Sequence, residues 1–137
     1  MKDNKTILLV EDDQVDIMTV KRALKKIQVT NPIAEAHNGE EALIYLRENL
    51  NNKPVIILLD INMPKMNGLE FLGIIKDDKD LKLIPVIMLT TSKEDQDRLS
   101  SFNLQVAGYM IKPVDFSQFL DVMKAIDSYW TLSELAN

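Results

Sequence analysis

The sequence has no cysteine and only four glycines among its 137 residues. Without cysteine the chain can form neither disulfides nor thiolate metal sites, which agrees with a reducing interior such as the cytoplasm. The glycines are Gly39, Gly68, Gly73 and Gly108. None of them belongs to a glycine-rich loop that could cradle a phosphate, which argues against a nucleotide- or flavin-binding module.

Excess positive charge and long apolar runs are missing as well. The formal net charge of −5 excludes recruitment of nucleic acid or an acidic membrane by bulk electrostatics. The polar residues 1–6 lead into the apolar run Ile7–Val10, which is far too short for a signal-peptide core or a membrane span. Hydrophobic residues make up 46% of the chain, enough for one packed core. We therefore expect a cytoplasmic domain over residues 1–127, followed by a short tail, residues 128–137.

Apolar runs predict five strands that alternate with five helices. Most of the runs are continuous, as is typical of strands covered on both faces. They are Ile7–Val10, Ile33–Ala36, 55–59, 86–89 and 106–111. The second run is the weakest, since Glu35 favours a place near the sheet edge.

Capping residues and apolar residues at helical spacing mark the five helices. These are Ile17, Val20, Leu24 and Ile27; Asn38 with Glu41, ahead of Leu43, Leu46 and Leu50; Leu69, Leu72 and Ile75; Ser92 with Asp95; and Phe116, Phe119, Met123 and Ile126. The alternation predicts an α/β fold with a five-stranded parallel sheet and helices on both faces.

Chemically active side chains follow the strongly apolar strands. Glu11 and Asp12 follow the first strand, Asp60 the third, Thr90 the fourth and Lys112 the fifth. The carboxyl ends of parallel strands share one rim, and ligands of such sheets bind there where the strand order reverses. If the first and third strands are neighbours, the carboxylates meet at that point.

Clustered carboxylates repel one another, and a hard divalent cation such as Mg²⁺ relieves that repulsion. Asp12 and Asp60 would ligate it directly, Glu11 through water, and a backbone carbonyl after Asp60 would add an oxygen. Lys112 and Thr90 offer a positive charge and a hydroxyl to a phosphoryl group, whose transfer needs positioning and charge neutralisation. Asp60 is then the nucleophile that forms an acyl phosphate.

Five motifs in this order resemble the response-regulator receiver domains of two-component signalling. They are Val10-Glu11-Asp12-Asp13, Leu58-Leu59-Asp60-Ile61-Asn62-Met63-Pro64, Met66-Asn67-Gly68, Leu89-Thr90-Thr91 and Tyr109-Met110-Ile111-Lys112-Pro113. The resemblance extends from about residue 5 to residue 126. It implies a flavodoxin-like strand order, 2-1-3-4-5, and magnesium (or manganese) as the cofactor.

The resemblance also implies a role for each site residue. Glu11 and Asp12 are the acidic pair, here Glu-Asp rather than Asp-Asp, and Asp60 is the phospho-acceptor. The backbone carbonyl of Asn62 ligates the metal. Thr90 is the switch hydroxyl, Tyr109 the switch aromatic, and Lys112 contacts the phosphoryl group. The Lys112–Pro113 peptide bond is expected to be cis.

The partners implied by the resemblance are a sensor histidine kinase or phosphotransfer protein, which donates the phosphoryl group, and a downstream protein target. The segment 27–32 and the tail around Tyr129 and Trp130 resemble single-domain regulators that partner bacterial phytochromes and related hybrid histidine kinases. We expect no output domain, so the signal leaves through a partner, further phosphotransfer or self-association. The apolar tail residues either fold back or dock on another copy, which leaves a homodimer open.

The rival enzyme class is the haloacid-dehalogenase-type phosphatase, which also phosphorylates an aspartate at a strand end. That class has a second aspartate two residues later, where this chain has Asn62. Its additional acidic pair comes late in the chain, whereas Glu11 and Asp12 come early. We therefore expect a signalling protein that catalyses only its own phosphorylation and dephosphorylation.

Overall fold

A computed structural model describes residues 5–90, 97, 106–112, 115, 117–118, 120–122 and 124 of the chain. In this part of the chain, bounds are defined for five strands and three helices. The elements are β1 (Ile7–Val10), α1 (Gln14–Lys26), β2 (Ile33–Ala36), α2 (Gly39–Glu48), β3 (Ile56–Asp60), α3 (Gly68–Lys76), β4 (Val86–Thr90) and β5 (Gly108–Ile111). None of the helices described is long and apolar enough to span a bilayer.

The five strands form one parallel sheet in the order β2-β1-β3-β4-β5, so the predicted topology is confirmed. Every residue of β1 and β3 is buried, as their continuous apolar runs predicted. β2 lies at the edge and exposes Glu35, again as predicted. The last strand is shorter than expected: the N–H of Ala107 donates to the carbonyl of Val86 at 2.8 Å, but β5 begins only at Gly108.

The sheet has a hydrophobic core on each of its two faces. Alternate strand residues contribute to one core or the other, because successive side chains of a strand point to opposite faces. Leu8, Val10, Ile57 and Leu59 pack on one face with apolar residues of α2 and α3. On the other face, β-strand residues pack with α1 and with Val122, which lies in the segment after β5. The prediction of helices on both faces is confirmed.

Asparagine and aspartate caps fix where the three helices begin. Asp13 caps α1, and Asn38 caps α2 by accepting a bond from the Glu41 N–H. The spacing of Asn38 and Glu41 predicts a capping box, in which each side chain accepts from the backbone N–H of the other residue. The carboxylate of Glu41 accepts from the N–H of His37 instead of Asn38, so this capping box is only half formed. The complete capping box is at α3, between Asn67 and Glu70.

The predicted fourth helix, with its signals at Ser92 and Asp95, lies outside the described residues apart from the helical residue 97. Helical residues do follow β5, at 117–118, 120–122 and 124, where the fifth helix was predicted. The four apolar residues predicted for this helix, Phe116, Phe119, Met123 and Ile126, lie outside the described residues, as does the tail, 128–137.

Candidate functional site

The register of the sheet brings the polar strand ends together. Val10 pairs with Leu59, so the next residues along each strand, Glu11 and Asp60, emerge side by side. Thr90 pairs with Ile111 at the other end of the same rim, so Lys112 leaves the sheet one residue later. The condition that β1 and β3 be neighbours is thereby met.

Lys112 lies at the centre of the site. Its Nζ donates to Glu11, to Asp60 at 3.0 Å and to Asp16 at 3.0 Å. Glu11 is completely buried, the Asp60 side chain is 7% exposed, and the Asp16 side chain is 28% exposed. These residues line an open cleft together with three further residues. We call it the acid cleft, and its lining is Glu11, Asp12, Asp13, Asp16, Asp60, Asn62 and Lys112.

The charge in the acid cleft is unbalanced, since five carboxylates line it together with one ammonium group. Glu11, Asp12 and Asp60 each offer a carboxylate oxygen, and these oxygens lie within 4.8 Å of one another. Opposite ligands of Mg²⁺ are about 4.2 Å apart, so small side-chain movements suffice to hold the ion. The cleft volume of about 420 Å³ leaves room for coordinated water and a phosphoryl group, because a liquid water occupies about 30 Å³. The donor set fits a divalent cation.

Burial and mutual hydrogen bonding shift two titrating groups of the acid cleft. Burial, together with the hydrogen bond to Asp60, raises the pKa of Glu11 above its ordinary value, against the opposing effect of Lys112. Burial lowers the pKa of Lys112, but its bonds to Glu11, Asp60 and Asp16 outweigh that effect and leave the pKa raised. Lys112 is therefore charged at any physiological pH.

The loop after β3 folds back over the Asp60 backbone. The N–H of Gly68 donates to the Ile61 carbonyl at 2.8 Å. A Cβ on Gly68 would lie 2.2 Å from the Asp60 carbonyl oxygen, far inside van der Waals contact. Its φ is not positive, so close approach rather than a left-handed backbone explains glycine here. Lys65 adopts the left-handed conformation, with φ of 63°, and lets the loop turn.

The other predicted residues fall in different places. Asn62 lines the acid cleft. Thr90 ends β4 beside the rim, but its side chain lies outside the described residues. Tyr109 is in β5 and is 38% exposed. Pro113 and hence the expected cis peptide lie outside the described residues.

Asp16 was not identified from the sequence. The sequence feature that could have identified it is its distance from the helix cap. With Asp13 as the N-cap, Asp16 falls in the first turn of α1, directly beside the rim. The Asp13 carboxylate accepts from the Asp16 N–H at 3.1 Å and fixes that turn. What the sequence does not show is that Lys112, 96 residues later, reaches this side chain.

Comparison with known proteins places the chain among signalling proteins. Residues 7–124 match the family described as the response regulator receiver domain. The curated protein Response regulator Rcp1 of Synechocystis sp. is 35% identical over 130 residues, which are 92% of this chain and 88% of that protein.

Solved structures of similar proteins share the fold. The bacteriophytochrome response regulator AtBRR superposes with a TM-score of 0.82 at 38% identity, covering 92% of this chain and 94% of that one. The phosphorylated cyanobacterial phytochrome response regulator RcpA gives 0.74 at 39% identity, covering 93% and 94%. The Mn²⁺-bound form of Rcp1 gives 0.72 at 37% identity, covering 92% and 94%.

Proposed function

Because the chain belongs to the response regulator receiver domain family, we propose that Asp60 is its phospho-acceptor and that Lys112 neutralises the incoming charge. The observation that carries this proposal is the 3.0 Å bond between Lys112 Nζ and the Asp60 carboxylate, made in a cleft that both strand ends open into. In the sequence-only interpretation, Asp60 and Lys112 had these same roles.

The reaction we propose is a direct phosphoryl transfer. A carboxylate oxygen of Asp60 bonds to phosphorus while the phosphorus–nitrogen bond of a phosphohistidine breaks, and the histidine nitrogen keeps the electron pair. Lys112 stabilises the charge on the phosphoryl oxygens, which is where such catalysis acts. Thr90 donates its hydroxyl to one of these oxygens.

Glu11, Asp12 and Asp60 would hold a divalent cation, with the backbone carbonyl of Asn62 as a further ligand. Oxygen donors alone favour Mg²⁺ or Mn²⁺ over metals that prefer nitrogen or sulfur. When bound, the cation supplies positive charge to the phosphoryl oxygens. The Mn²⁺-bound form of the relative Rcp1 supports the same cation class for this chain.

The donor is a histidine kinase or a phosphotransfer protein, since receiver domains work with such partners. By similarity to bacteriophytochrome regulators, the kinase belongs to the phytochrome or hybrid class. The chain acts on no other substrate and passes its signal to a downstream protein in the cytoplasm. Residues 1–127 form the receiver, and the tail, 128–137, is a candidate contact between two copies.

Mutation of the acceptor tests the proposal. The Asp60→Asn variant should show no acid-stable increase in mass and no radiolabel after incubation with a small acyl phosphate or a cognate kinase. Asp13→Asn is the matched control, because asparagine keeps the helix cap while removing a charge from the same rim. Labelling of Asp60→Asn at the wild-type level would place the acceptor elsewhere.

A phosphomonoester assay separates the receiver from the phosphatase alternative. A receiver yields at most one labelled aspartate per chain, whereas a phosphatase turns the substrate over many times. The family match and the relatives support the receiver. Sustained phosphate release that depends on Asp60 would favour the phosphatase.

A further inference from the structure

Asp16 is the carboxylate around Lys112 that the proposed reaction leaves unused. Its Oδ2 accepts from Lys112 Nζ at 3.0 Å, at the partly exposed edge of the acid cleft. The Asp13 cap holds the first turn of α1, so the position of Asp16 is set by the helix. A surface carboxylate brought to a central lysine in this way needs an explanation beyond helix formation.

The ammonium group of Lys112 has no spare donor. A lysine has three N–H bonds, and Glu11, Asp16 and Asp60 accept one each. A cation held by Glu11, Asp12 and Asp60 shares two of these acceptors with the lysine. The two positive charges then compete for the same oxygens, and they also repel each other.

Asp16 resolves this competition because it can bind the lysine without touching the cation. We propose that Asp16 is a positioning residue: it retains Lys112 at the edge of the acid cleft when a cation takes Glu11 and Asp60. The ammonium then stays beside the phospho-acceptor with two N–H bonds released. This inference rests on the proposed function of the cleft and names a residue that the function did not use.

Removing Asp16 should weaken cation binding. Without it, Lys112 stays on Glu11 and Asp60 and has to be displaced by the incoming ion. Residues that orient metal ligands from outside typically change metal affinity by about 10-fold or more when mutated. We expect the Asp16→Asn variant of the full chain to bind Mg²⁺ about 10-fold more weakly, measured by titration calorimetry on the unphosphorylated protein.

Two control variants separate positioning from loss of charge. Asp13→Asn removes a negative charge from the same turn but no contact with Lys112, so it should change Mg²⁺ affinity much less. Asp16→Glu restores the carboxylate and should recover most of the affinity. Equal weakening in Asp13→Asn and Asp16→Asn would overturn the proposal, provided that both variants unfold at similar temperatures.

A double-mutant cycle with Lys112 is the sharpest test, because the proposed effect passes through that side chain. In a Lys112→Met background no ammonium competes with the cation. Asp16→Asn should then weaken Mg²⁺ binding no more than Asp13→Asn does. An equal loss with and without Lys112 would mean that Asp16 acts only as a nearby charge, which contradicts positioning.

Labelling at graded Mg²⁺ concentrations connects the inference to the reaction. Asp16→Asn should label slowly at low Mg²⁺, because less cation is bound. A smaller deficit should remain at saturation, because Lys112 is no longer held beside Asp60; labelling at the wild-type rate at every Mg²⁺ concentration contradicts the proposal. The binding measurements contain no phosphoryl donor, so their outcome is independent of whether Asp60 is the acceptor. Failure of wild-type labelling with an intact binding cycle would refute the proposed function alone.

Discussion

Glu11 is a completely buried carboxyl whose charge depends on what surrounds it. Burial, then the hydrogen bond to Asp60, raises its pKa from 4.5 to about 8 in the metal-free protein. Between these two values the folded chain binds a proton that the unfolded chain has lost. Raising the pH through this window therefore favours unfolding.

The first prediction is a loss of metal-free stability with rising pH. Between about pH 5 and pH 8, Glu11 should lower the unfolding free energy by at most about 1.4 kcal/mol per pH unit. Glu11→Gln should remove this component, seen as a flatter curve in urea denaturation at several pH values with chelator present. The difference between the two proteins cancels the contributions that other titrating groups make to both. Parallel curves would contradict the prediction.

The second prediction contrasts two glycines of α3. Gly68→Ala places a Cβ against the Asp60 carbonyl, so it should destabilise the protein by about 1–3 kcal/mol, as overpacking does, and slow labelling of Asp60. Gly73→Ala meets nothing within 4 Å and should stabilise the helix by up to about 1 kcal/mol. Denaturant titration measures both, and a harmless Gly68→Ala would show that the loop relaxes freely.

At this scale, residues that end strands could be predicted from the sequence, whereas residues that join the site from a helix could not. Glu11 and Asp60 were identifiable because a polar residue that directly follows a buried parallel strand lies at the rim of the sheet. Asp16 lies in a helix, where an acidic residue in the first turn is favourable in any protein. Its proposed positioning role depends on a contact with a residue 96 positions later in the chain.

Helix α3 shows what an element contributes to the site. Its capping box between Asn67 and Glu70 begins the helix directly after the loop that covers the Asp60 backbone. The cap thus determines where that loop ends. A mutation that weakens this cap would therefore affect the acid cleft through the backbone of the loop and not through a side chain.

The third prediction is that Asn67→Ala costs about 1 kcal/mol of stability, the usual value of an N-cap, while Asn67→Asp costs little. Thermal and urea unfolding measure the cost. Glu70→Gln, which keeps an acceptor for the Asn67 N–H, is the partner control. An Asn67→Ala protein as stable as the wild type would mean that water replaces the cap fully.

Strands were more predictable than caps for a physical reason. A continuous apolar run leaves a parallel strand few alternatives, and the five runs gave the five strands of the sheet. A capping box depends on rotamers: Asn38 with Glu41 and Asn67 with Glu70 have the same spacing, yet the reciprocal bond forms only in the second pair. In the first pair the carboxylate of Glu41 accepts a hydrogen bond from the backbone N–H of His37 instead.

At the scale of the whole molecule, the sheet connects the rim that carries the acid cleft to the part of β5 that carries Tyr109. Thr90 and Tyr109 belong to neighbouring strands, β4 and β5, and Tyr109 pairs with Met88 of the buried core. A rearrangement around Thr90 therefore acts on the strand that carries Tyr109. Tyr109 and Ile111 are exposed on β5, and we propose that this face is the surface that changes on phosphorylation.

The fourth prediction is that phosphorylation, which adds about −1.5 to −2 charge at neutral pH, draws Thr90 and Lys112 toward Asp60 and turns Tyr109 inward. Tyr109, which is 38% exposed here, should have a ring that becomes less accessible to a soluble paramagnetic probe in NMR spectra. Tyr45, on α2, should not change. Identical Tyr109 accessibility in phosphorylated and unphosphorylated protein would contradict this propagation.

The positive charge that the protein itself supplies to the acid cleft is the ammonium group of Lys112. It lies 101 positions after Glu11, the buried carboxyl to which it donates. During synthesis, β1, β3 and β4 can be complete while Glu11 and Asp60 still lack their ammonium partner. Docking of β5 is therefore the step that brings the ammonium group to these two carboxylates. A chain that stops before Lys112 lacks the ammonium group that we propose takes part in the reaction, so the acid cleft is complete only once β5 has joined the sheet.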